Sequence, residues 1–346
     1  MRYISTHKRI VRGKRIHETV EERLQKQRKE ENVVGFLIEN VEAEFLVPPV
    51  EIFVETEQVK KLKERVKLWA KVGYPPHIVG PTGCGKTTLA LQVAKELGRP
   101  TVWINGDEQM TTSDLIGGYS EVEAESVRDK FVHNVMLARD RTKYNWVDNP
   151  LTLACKYGYT LVYNEFSRAK PEANNVLLSV LEEGILELPT MFGEERYIQV
   201  HPDFNVIFTS NSIEYAGVHR PQDALLDRMV DIYMDYYDFE TEVKIVRAHT
   251  GITLPETQKI VKAVRTVREK LPDPYKPSTR AEIMISQGLE ALGNYSKEDV
   301  EQIYLDVLAT KIGSPKEVLK KIDLIKEVFA EAYGGSKFDH ISRDGR

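Results

Sequence analysis

One run of eight residues has the composition and spacing of a phosphate-binding loop. Gly80-Pro-Thr-Gly-Cys-Gly-Lys-Thr87 matches the pattern G-x-x-x-x-G-K-[ST]. Its glycines let backbone N–H groups turn inward around an anion, Lys86 brings a positive charge to the β- and γ-phosphates, and the Thr87 hydroxyl can ligate Mg²⁺. The sequence therefore predicts a site for ATP with Mg²⁺. The residues expected to contact the nucleotide are Gly80, Pro81, Thr82, Gly83, Cys84, Gly85, Lys86, Thr87 and Thr88.

A second acidic element ends an apolar run. Thr160-Leu-Val-Tyr-Asn-Glu165 is typical of a strand that ends in Asn164 and Glu165, where P-loop ATPases usually carry Asp and then Glu. Glu165 can polarise the attacking water, whereas Asn164 can accept a hydrogen bond from a metal-bound water but brings no negative charge. We therefore expect Glu165 to be catalytic and Asn164 to hold Mg²⁺ through water, with slow turnover. The simpler alternative is that Glu165 caps a strand at the surface.

Three further polar residues stand where they can reach a bound nucleotide, and we expect them to be catalytic. Asn211 follows the apolar run Val206–Ser210, and its amide can reach the γ-phosphate, although an isolated Asn is more often satisfied within a turn. Arg228 can reach the nucleotide of a neighbouring subunit as an arginine finger. Arg280 lies in the first turn of a predicted lid helix and can touch the γ-phosphate. The simpler alternative for Arg228 is a surface salt bridge, and without the P-loop both arginines would be interpreted as solvated surface residues.

Short apolar runs alternate with helical patterns around these residues. The runs are rich in Val, Ile, Tyr, Phe and Leu, and several are apolar at consecutive positions. Continuous apolar strands that alternate with helices indicate a parallel sheet covered on both faces. The expected fold class is α/β, with a five-stranded parallel sheet between helices followed by a small all-α lid domain. The runs are His77–Val79, Thr101–Asn105, Thr160–Asn164, Asn205–Ser210 and Met229–Met234.

The region after Phe239 predicts helices alone. Thr279-Arg-Ala-Glu282 and Ser314-Pro-Lys-Glu317 both have the spacing of a capping box, and Gly334 is expected to end the last helix. The expected domains are a basic arm of disordered composition over residues 1–31, a P-loop core over 32–237, a helical lid over 238–335 and a tail over 336–346.

Composition limits the classes of function. The chain has 346 residues, is 41% hydrophobic and 29% charged, and carries a formal net charge of −5, so it gives no global electrostatic reason to bind nucleic acid. Cys84 and Cys155 lack the spacing of a metal site or a disulfide framework, which fits a reducing compartment. Residues 1–15 are basic but lack the apolar segment of a signal peptide, and Val33–Ile38 is too short to cross a bilayer. We expect a soluble cytoplasmic protein with no nucleic-acid or membrane partner.

The motifs follow one another in a specific order: P-loop, strand with terminal Glu, strand with terminal Asn, Leu-Asp-Arg and helical lid. That order resembles the AAA+ ATPases of the MoxR-like group and, more narrowly, the GvpN family of gas vesicle proteins. The match runs from about Val50 to Gly251 and continues more loosely through the lid. The segments that carry it are Thr112–Tyr119, Thr160–Phe166, Arg168–Pro189, Phe208–Asn211, Glu214–His219 and Gln222–Arg228.

The resemblance implies an assembly and a set of residue roles. Proteins of this group usually act as ring oligomers, often hexamers, so self-association is implied. Residues 111–141 would be the inserted helix and residues 187–202 the β-hairpin that face the pore of the ring. The implied roles are nucleotide and Mg²⁺ binding for Lys86 and Thr87, catalysis for Glu165, first sensor for Asn211, arginine finger for Arg228 and second sensor for Arg280.

The resemblance also implies a cellular role. It indicates an ATP-hydrolysing protein that drives assembly or maturation of gas vesicle shells, has shell or accessory proteins as partners, and lies in the cytoplasm in association with gas vesicles. One alternative is a MoxR-type chaperone that activates another client. A second is a nucleotide-gated scaffold with little hydrolysis, which Asn164 keeps open. The acidic net charge disfavours a DNA translocase.

Overall fold

The computed structural model describes most of the chain in detail. The residues it describes are 9–11, 14–16, 47–48, 50, 52–129, 137–189, 196–211, 219, 221–272, 275–309 and 315–334, with backbone alone for 9–11, 14–16, 120–129, 137–145 and 315–317. The chain divides into two compact units, Met1–Val47 and Pro48–Arg346. In the first unit, strands β1 (Arg9–Val11) and β2 (Lys14–Ile16) pair antiparallel. The rest of the predicted arm, the capping side chain of Ser314 and the predicted tail lie outside the described residues.

The second unit alternates strands and helices and then becomes helical. None of its described helices is long and apolar enough to cross a membrane. Its elements, in chain order, are α1 (Glu57–Val72), β3 (Pro76–Gly80), α2 (Lys86–Glu96), β4 (Thr101–Asn105), α3 (Thr112–Ile116), β5 (Gly117–Asp129), β6 (Leu137–Asp148), α4 (Pro150–Tyr157), β7 (Thr160–Asn164), α5 (Val176–Glu182), β8 (Ile185–Glu187), β9 (Tyr197–Gln199), β10 (Asn205–Asn211), α6 (Asp223–Leu226), β11 (Val230–Tyr233), α7 (Phe239–His249), α8 (Leu254–Lys270), α9 (Thr279–Leu292), α10 (Lys297–Leu308) and α11 (Pro315–Tyr333).

A five-stranded parallel sheet lies at the centre of this unit. Its strand order is β11–β3–β10–β7–β4, and helices α1, α2 and α4 pack against it. Every strand predicted from an apolar run is present, so the predicted α/β class is confirmed. The interior strand β7 is buried along its whole length, because it has neighbours on both edges and helices on both faces.

The register of the strands brings their carboxyl ends to one edge of the sheet. Asn211 at the end of β10 pairs with Gly80 at the end of β3. Asn105 at the end of β4 pairs with Asn164 at the end of β7. Because parallel strands end together, the polar residues that follow apolar runs in the sequence become neighbours in space.

The segment expected to hold an inserted helix is mainly a β-hairpin, so that prediction is wrong. Helix α3 is five residues long and ends at Gly117, whose φ of 121° interrupts the helical backbone. Strands β5 and β6 then pair antiparallel from Gly117 opposite Asp148 to Asp129 opposite Leu137. The predicted β-hairpin is present as β8 paired with β9, and it begins two residues before the predicted segment, at Ile185.

Helices α7 to α11 form the C-terminal helical region, and α8 to α11 share a core. Buried apolar side chains that include Val264, Ile285, Tyr304 and Phe329 pack together there. This confirms the all-helical prediction for the region after Phe239, and α11 ends at Tyr333, immediately before the predicted stop.

The predicted capping box at the start of α9 is wrong. Ser278 is the N-cap residue, and the side chains of Thr279 and Glu282 turn instead toward a buried ionic cluster. Thr279 Oγ1 donates to Glu242 Oε1 at 3.1 Å, and Arg268 donates to Glu242 Oε1 and Glu282 Oε1 at 2.8 Å each. Both acidic side chains are fully buried, so their hydrogen bonds to Arg268 take precedence over capping of the helix start.

Candidate nucleotide site

The loop between β3 and α2 needs glycine at three positions. A Cβ on Gly80 would lie 1.9 Å from the carbonyl oxygen of Met234, just after β11. A Cβ on Gly83 would lie 2.5 Å from Ser278 Oγ in the lid, and Gly83 has φ of 75°. Gly85, the N-cap of α2, has φ of 99°. The loop is therefore packed between the sheet and the lid, and its backbone takes conformations that favour glycine.

Lys86 and Asn211 meet at the edge of the sheet, as the sequence predicted for two residues of one site. The Lys86 side chain is buried, and its Nζ donates to the carbonyl oxygens of Gly80 at 3.0 Å and Pro81 at 2.7 Å, and to Asn211 Oδ1 at 3.0 Å. Burial lowers the pKa of Lys86, and the nearby charge of Arg280 lowers it further. A desolvated cation at a helix start is suited to a phosphate anion.

Asn164 is the centre of an uncharged hydrogen-bond network. Its Oδ1 accepts from Thr87 Oγ1 at 2.6 Å and from Thr209 Oγ1 at 2.8 Å. Its Nδ2 donates to Asn105 Oδ1 at 2.7 Å. Thr209 Oγ1 in turn accepts from the N–H of Glu165 at 3.1 Å. Two residues predicted for Mg²⁺, Thr87 and Asn164, are thus in direct contact, and every polar atom of the Asn164 amide is used.

Glu165 takes a backbone conformation that is unusual for its residue type. Its φ is 49°, and it is the only non-glycine residue with positive φ in the part of the chain that the structure describes. Such a conformation costs on the order of 1 kcal/mol and is often found at functional sites. Its Oε2 accepts from Arg168 Nη1 at 3.0 Å. Glu165 therefore lies at the turn after β7, with its carboxylate held by an arginine three residues later.

The two predicted arginines differ in position. Arg280 is exposed, and its Cβ lies 3.7 Å from the Cβ position of Gly83, so the lid holds this side chain beside the loop. Arg228 donates to the carbonyl oxygen of Ala224 and to Glu182. Arg228 therefore makes the kind of ion pair that was its simpler alternative, and its role on a neighbouring subunit stays a prediction.

A cavity of about 190 Å³ opens between the loop and the lid. Its lining includes four loop or first-turn positions and Arg280, but most of its wall is apolar. Such a wall suits a flat heteroaromatic base. The residues that line it are Ile52, Phe53, Val54, Val59, Gly83, Cys84, Gly85, Thr88, Tyr237, Ile245, His249, Thr279, Arg280 and Ile283.

Sequence reasoning missed several contributors to this site. Asn105 and Thr209 were not singled out, although each lies at or near the carboxyl end of a run that predicts a strand. Arg168 gave no signal of its own. The apolar wall comes from segments far apart in sequence, and neither 52–54 nor 245–249 contains a motif. Cys84 is buried against the carbonyl oxygen of Met234, as expected for a packing residue, and burial raises the pKa of its thiol.

The donor atoms at the site suit Mg²⁺ better than a transition metal. No cluster of three His, Cys, Asp or Glu side chains that could hold a metal occurs among the described residues. Thr87, Asn164 and Glu165 offer hydroxyl, amide and carboxylate oxygens, which are hard donors. These residues fit a Mg²⁺ ion held mainly by nucleotide phosphates and water, with few direct protein ligands.

Known proteins match this chain over most of its length. A family model for the AAA domain (dynein-related subfamily) matches residues 77–229. The gas vesicle ATPase GvpN of Haloferax mediterranei is 54% identical over 276 residues, covering 80% of this chain and 79% of that protein. The gas vesicle ATPase GvpN of Ancylobacter aquaticus is 45% identical over 76% of this chain and 74% of its own. The protein CbbQ of Hydrogenophilus thermoluteolus is 26% identical over 56% of this chain and 65% of its own.

Proposed function

This chain belongs to the GvpN family of gas vesicle ATPases, and from that membership we propose that it hydrolyses ATP to drive assembly or maturation of gas vesicle shells. The chain is an AAA+ ATPase tied to gas vesicles. The observation that best supports its chemistry is the 3.0 Å contact between Lys86 Nζ and Asn211 Oδ1. It puts a cation and an amide at one point of the sheet edge, beside the start of α2.

Lys86 binds the β- and γ-phosphates of ATP in this proposal. Its ammonium group exchanges hydrogen bonds to the Gly80 and Pro81 carbonyl oxygens for bonds to phosphate oxygens. Because the side chain is buried, its attraction for the anion is less screened than on the surface. Asn211, already bonded to Lys86, lies next to the γ-phosphate and orients the attacking water.

Glu165 is the proposed base that polarises this water. Its main-chain N–H is fixed by Thr209, so the turn that carries the carboxylate does not depend on the nucleotide. The carboxylate must exchange its bond to Arg168 for one to water when ATP is bound. Thr87 would hold Mg²⁺ directly and Asn164 would hold it through a water, for which Asn164 Oδ1 must give up its bond from Thr87. A bound Mg²⁺ would neutralise charge on the phosphates.

The lid and a neighbouring subunit complete the proposed machine. Arg280 contacts the γ-phosphate from α9. ADP lacks that phosphate, so the position of the lid differs between the ATP and ADP states. Arg228 supplies a finger to the adjacent subunit of a ring, for which a hexamer is the expected size. To do so it must leave Glu182, which links subunit assembly to the completion of the site.

The cellular role is tested by complementation. The host carries a gas vesicle gene cluster from which only the gene for this chain has been deleted, and that gene is supplied separately. We expect the parent chain to restore vesicles and both Lys86→Ala and Glu165→Gln to fail at equal protein levels. Glu64→Gln, an exposed position on α1, is the matched control and should restore them. Vesicles formed normally with both site variants would contradict an ATP-driven role.

A nucleotide-gated scaffold is a second candidate, favoured by two specific observations. The neutral Asn164 network and the pairing of Glu165 with Arg168 both describe a site that can bind ATP without efficient hydrolysis. The same host separates the candidates. A scaffold needs nucleotide binding alone, so Glu165→Gln would then support vesicles while Lys86→Ala would not.

A further inference from the structure

His249 is the last residue of α7 and lines the cavity between the P-loop and the lid. The same cavity touches Gly83 and Gly85, which are the phosphate end of the proposed ATP site. Apolar side chains of Phe53, Ile245 and Ile283 form much of the remaining wall. A nucleotide whose phosphates bind the loop therefore has its base within reach of this wall.

One hydrogen bond fixes the tautomer of His249. Its Nδ1 lies 2.8 Å from the carbonyl oxygen of Ile245. A carbonyl oxygen can only accept, so Nδ1 must carry the hydrogen, and the neutral ring then presents Nε2 as an acceptor. Nε2 makes no hydrogen bond to any residue that the structure describes. The ring therefore offers an acceptor whose direction is set by the helix backbone.

The other polar side chains of the cavity are committed elsewhere or lie near the phosphates. Thr279 Oγ1 donates to Glu242. The Tyr237 hydroxyl lies 3.9 Å from the Cβ position of Gly85, and Arg280 lies beside Gly83. Thr88 is in the first turn of α2. Among the described lining side chains, His249 thus offers a ring nitrogen, Nε2, that no other described residue uses as an acceptor.

We propose that His249 is a specificity-determining residue, whose Nε2 accepts a hydrogen bond from the 6-amino group of adenine. This inference rests on the proposed ATP site. Adenine presents a donor at position 6, whereas hypoxanthine and guanine present a carbonyl oxygen there, which would face the Nε2 lone pair. A purine with hydrogen at position 6 would leave Nε2 without a partner. The site then prefers adenine nucleotides through one contact supplied by the lid.

The test uses three diphosphates, which avoid hydrolysis: ADP, IDP and purine riboside diphosphate, each titrated calorimetrically into the full chain with Mg²⁺. We expect the parent to bind ADP about 3- to 10-fold more tightly than the purine riboside analogue, the range of one neutral hydrogen bond. The preference over IDP should be roughly 10-fold or more, because two acceptors oppose each other.

Variants identify the residue responsible. His249→Leu removes the acceptor, so both preferences should fall toward unity. The side-chain amide of His249→Gln can rotate to accept or donate, so ADP and IDP should bind alike and more tightly than in His249→Leu. Arg247→Gln, an exposed position on α7 outside the cavity lining, is the matched control and should keep the parent's ratios. Because each ratio is measured within one protein, partial unfolding of a variant does not imitate the result.

The outcomes separate this inference from the proposed function. Parent preferences that persist in His249→Leu would overturn the role of His249 while leaving nucleotide binding intact. Equal binding of all three nucleotides by the parent would do the same. A parent that binds none of them would overturn both proposals, and Lys86→Ala serves as the reference for loss of binding.

Discussion

Thr87 Oγ1 donates a hydrogen bond of 2.6 Å to Asn164 Oδ1, which joins the first turn of α2 to the end of β7. Both side chains are neutral, and so are Thr209 and Asn105, which complete the network. In other P-loop ATPases an aspartate at the position of Asn164 adds a negative charge beside the metal. The amide can fix geometry in the same way, but it contributes less attraction for Mg²⁺.

We therefore predict that Asn164→Asp lowers the Mg²⁺ concentration needed for half-maximal phosphate release. A charge-assisted bond is about twice as strong as a neutral one, so a roughly 5- to 10-fold decrease is expected. Asn205→Asp, at the opposite end of β10, is the control for added charge. An unchanged or higher Mg²⁺ requirement in Asn164→Asp would show that the amide is not a metal-side residue.

The positive φ of Glu165 predicts an unusual order of stability. Glycine adopts φ of 49° without steric cost. The free energy of unfolding, measured by urea titration, should therefore be about 1 kcal/mol higher for Glu165→Gly than for Glu165→Ala. Glu172 has φ of −62° and ψ of −37°, and there the Gly variant should be the less stable of the two by roughly 0.5–1 kcal/mol. If the Gly variant is less stable than the Ala variant at Glu165 as well as at Glu172, the turn after β7 is unstrained.

Arg228 allows a mixing experiment. If it acts on a neighbouring subunit, Arg228→Ala and Lys86→Ala should each be inactive alone. Their mixture should recover part of the parent rate, because a Lys86→Ala subunit can offer its Arg228 to an intact P-loop. Glu182→Ala, which removes the intrachain partner of Arg228, should retain activity. Mixtures with no recovery, although rings form, would place the function of Arg228 within its own chain.

Glu282 predicts a dependence of stability on pH. Burial, and then the charge of Glu242, raises its pKa from 4.5 to about 8. Between these values only the unfolded chain ionises at this position, so the group's contribution favours folding below pH 4.5 and is lost as pH rises to about 8. Relative to Glu282→Gln, the parent should therefore lose stability across that window in urea titrations.

Glu269→Gln, an exposed position at the end of α8, is the control for removing a carboxylate from the lid. If the parent and Glu282→Gln keep a constant difference in free energy of unfolding from pH 5 to pH 9, Glu282 ionises in the folded lid as it does in water.

Local patterns in the sequence were sufficient to predict the sheet and the centre of the site. Apolar runs such as Thr160–Asn164 indicate buried parallel strands when helical patterns flank them. Parallel strands end at the same edge of the sheet, which brings Asn164 and Asn211 to that edge. The P-loop is also a local feature, since its residues are consecutive from Gly80 to Thr87. The position of Asn211 near the P-loop was therefore predictable, whereas its hydrogen bond to Lys86 is a finding of the structure.

Features that depend on tertiary partners were not predictable in this way. Thr279 and Glu282 have the spacing of a capping box, but Arg268 from another helix takes up the Glu282 side chain. The segment after Gly117 carries mixed charges that fit an exposed helix or an exposed hairpin equally well. The cavity wall has contributors from α1, α7 and α9, and no spacing rule relates them.

The most direct measurement is steady-state phosphate release by the purified chain with Mg-ATP, beside Lys86→Ala and Glu165→Gln. We predict a slow but clear rate in the parent, no ATP binding in Lys86→Ala, and ATP binding without turnover in Glu165→Gln. Turnover that persists in Glu165→Gln, or a parent that binds ATP and releases no phosphate even at high Mg²⁺ and with gas vesicle shell proteins present, would contradict the account.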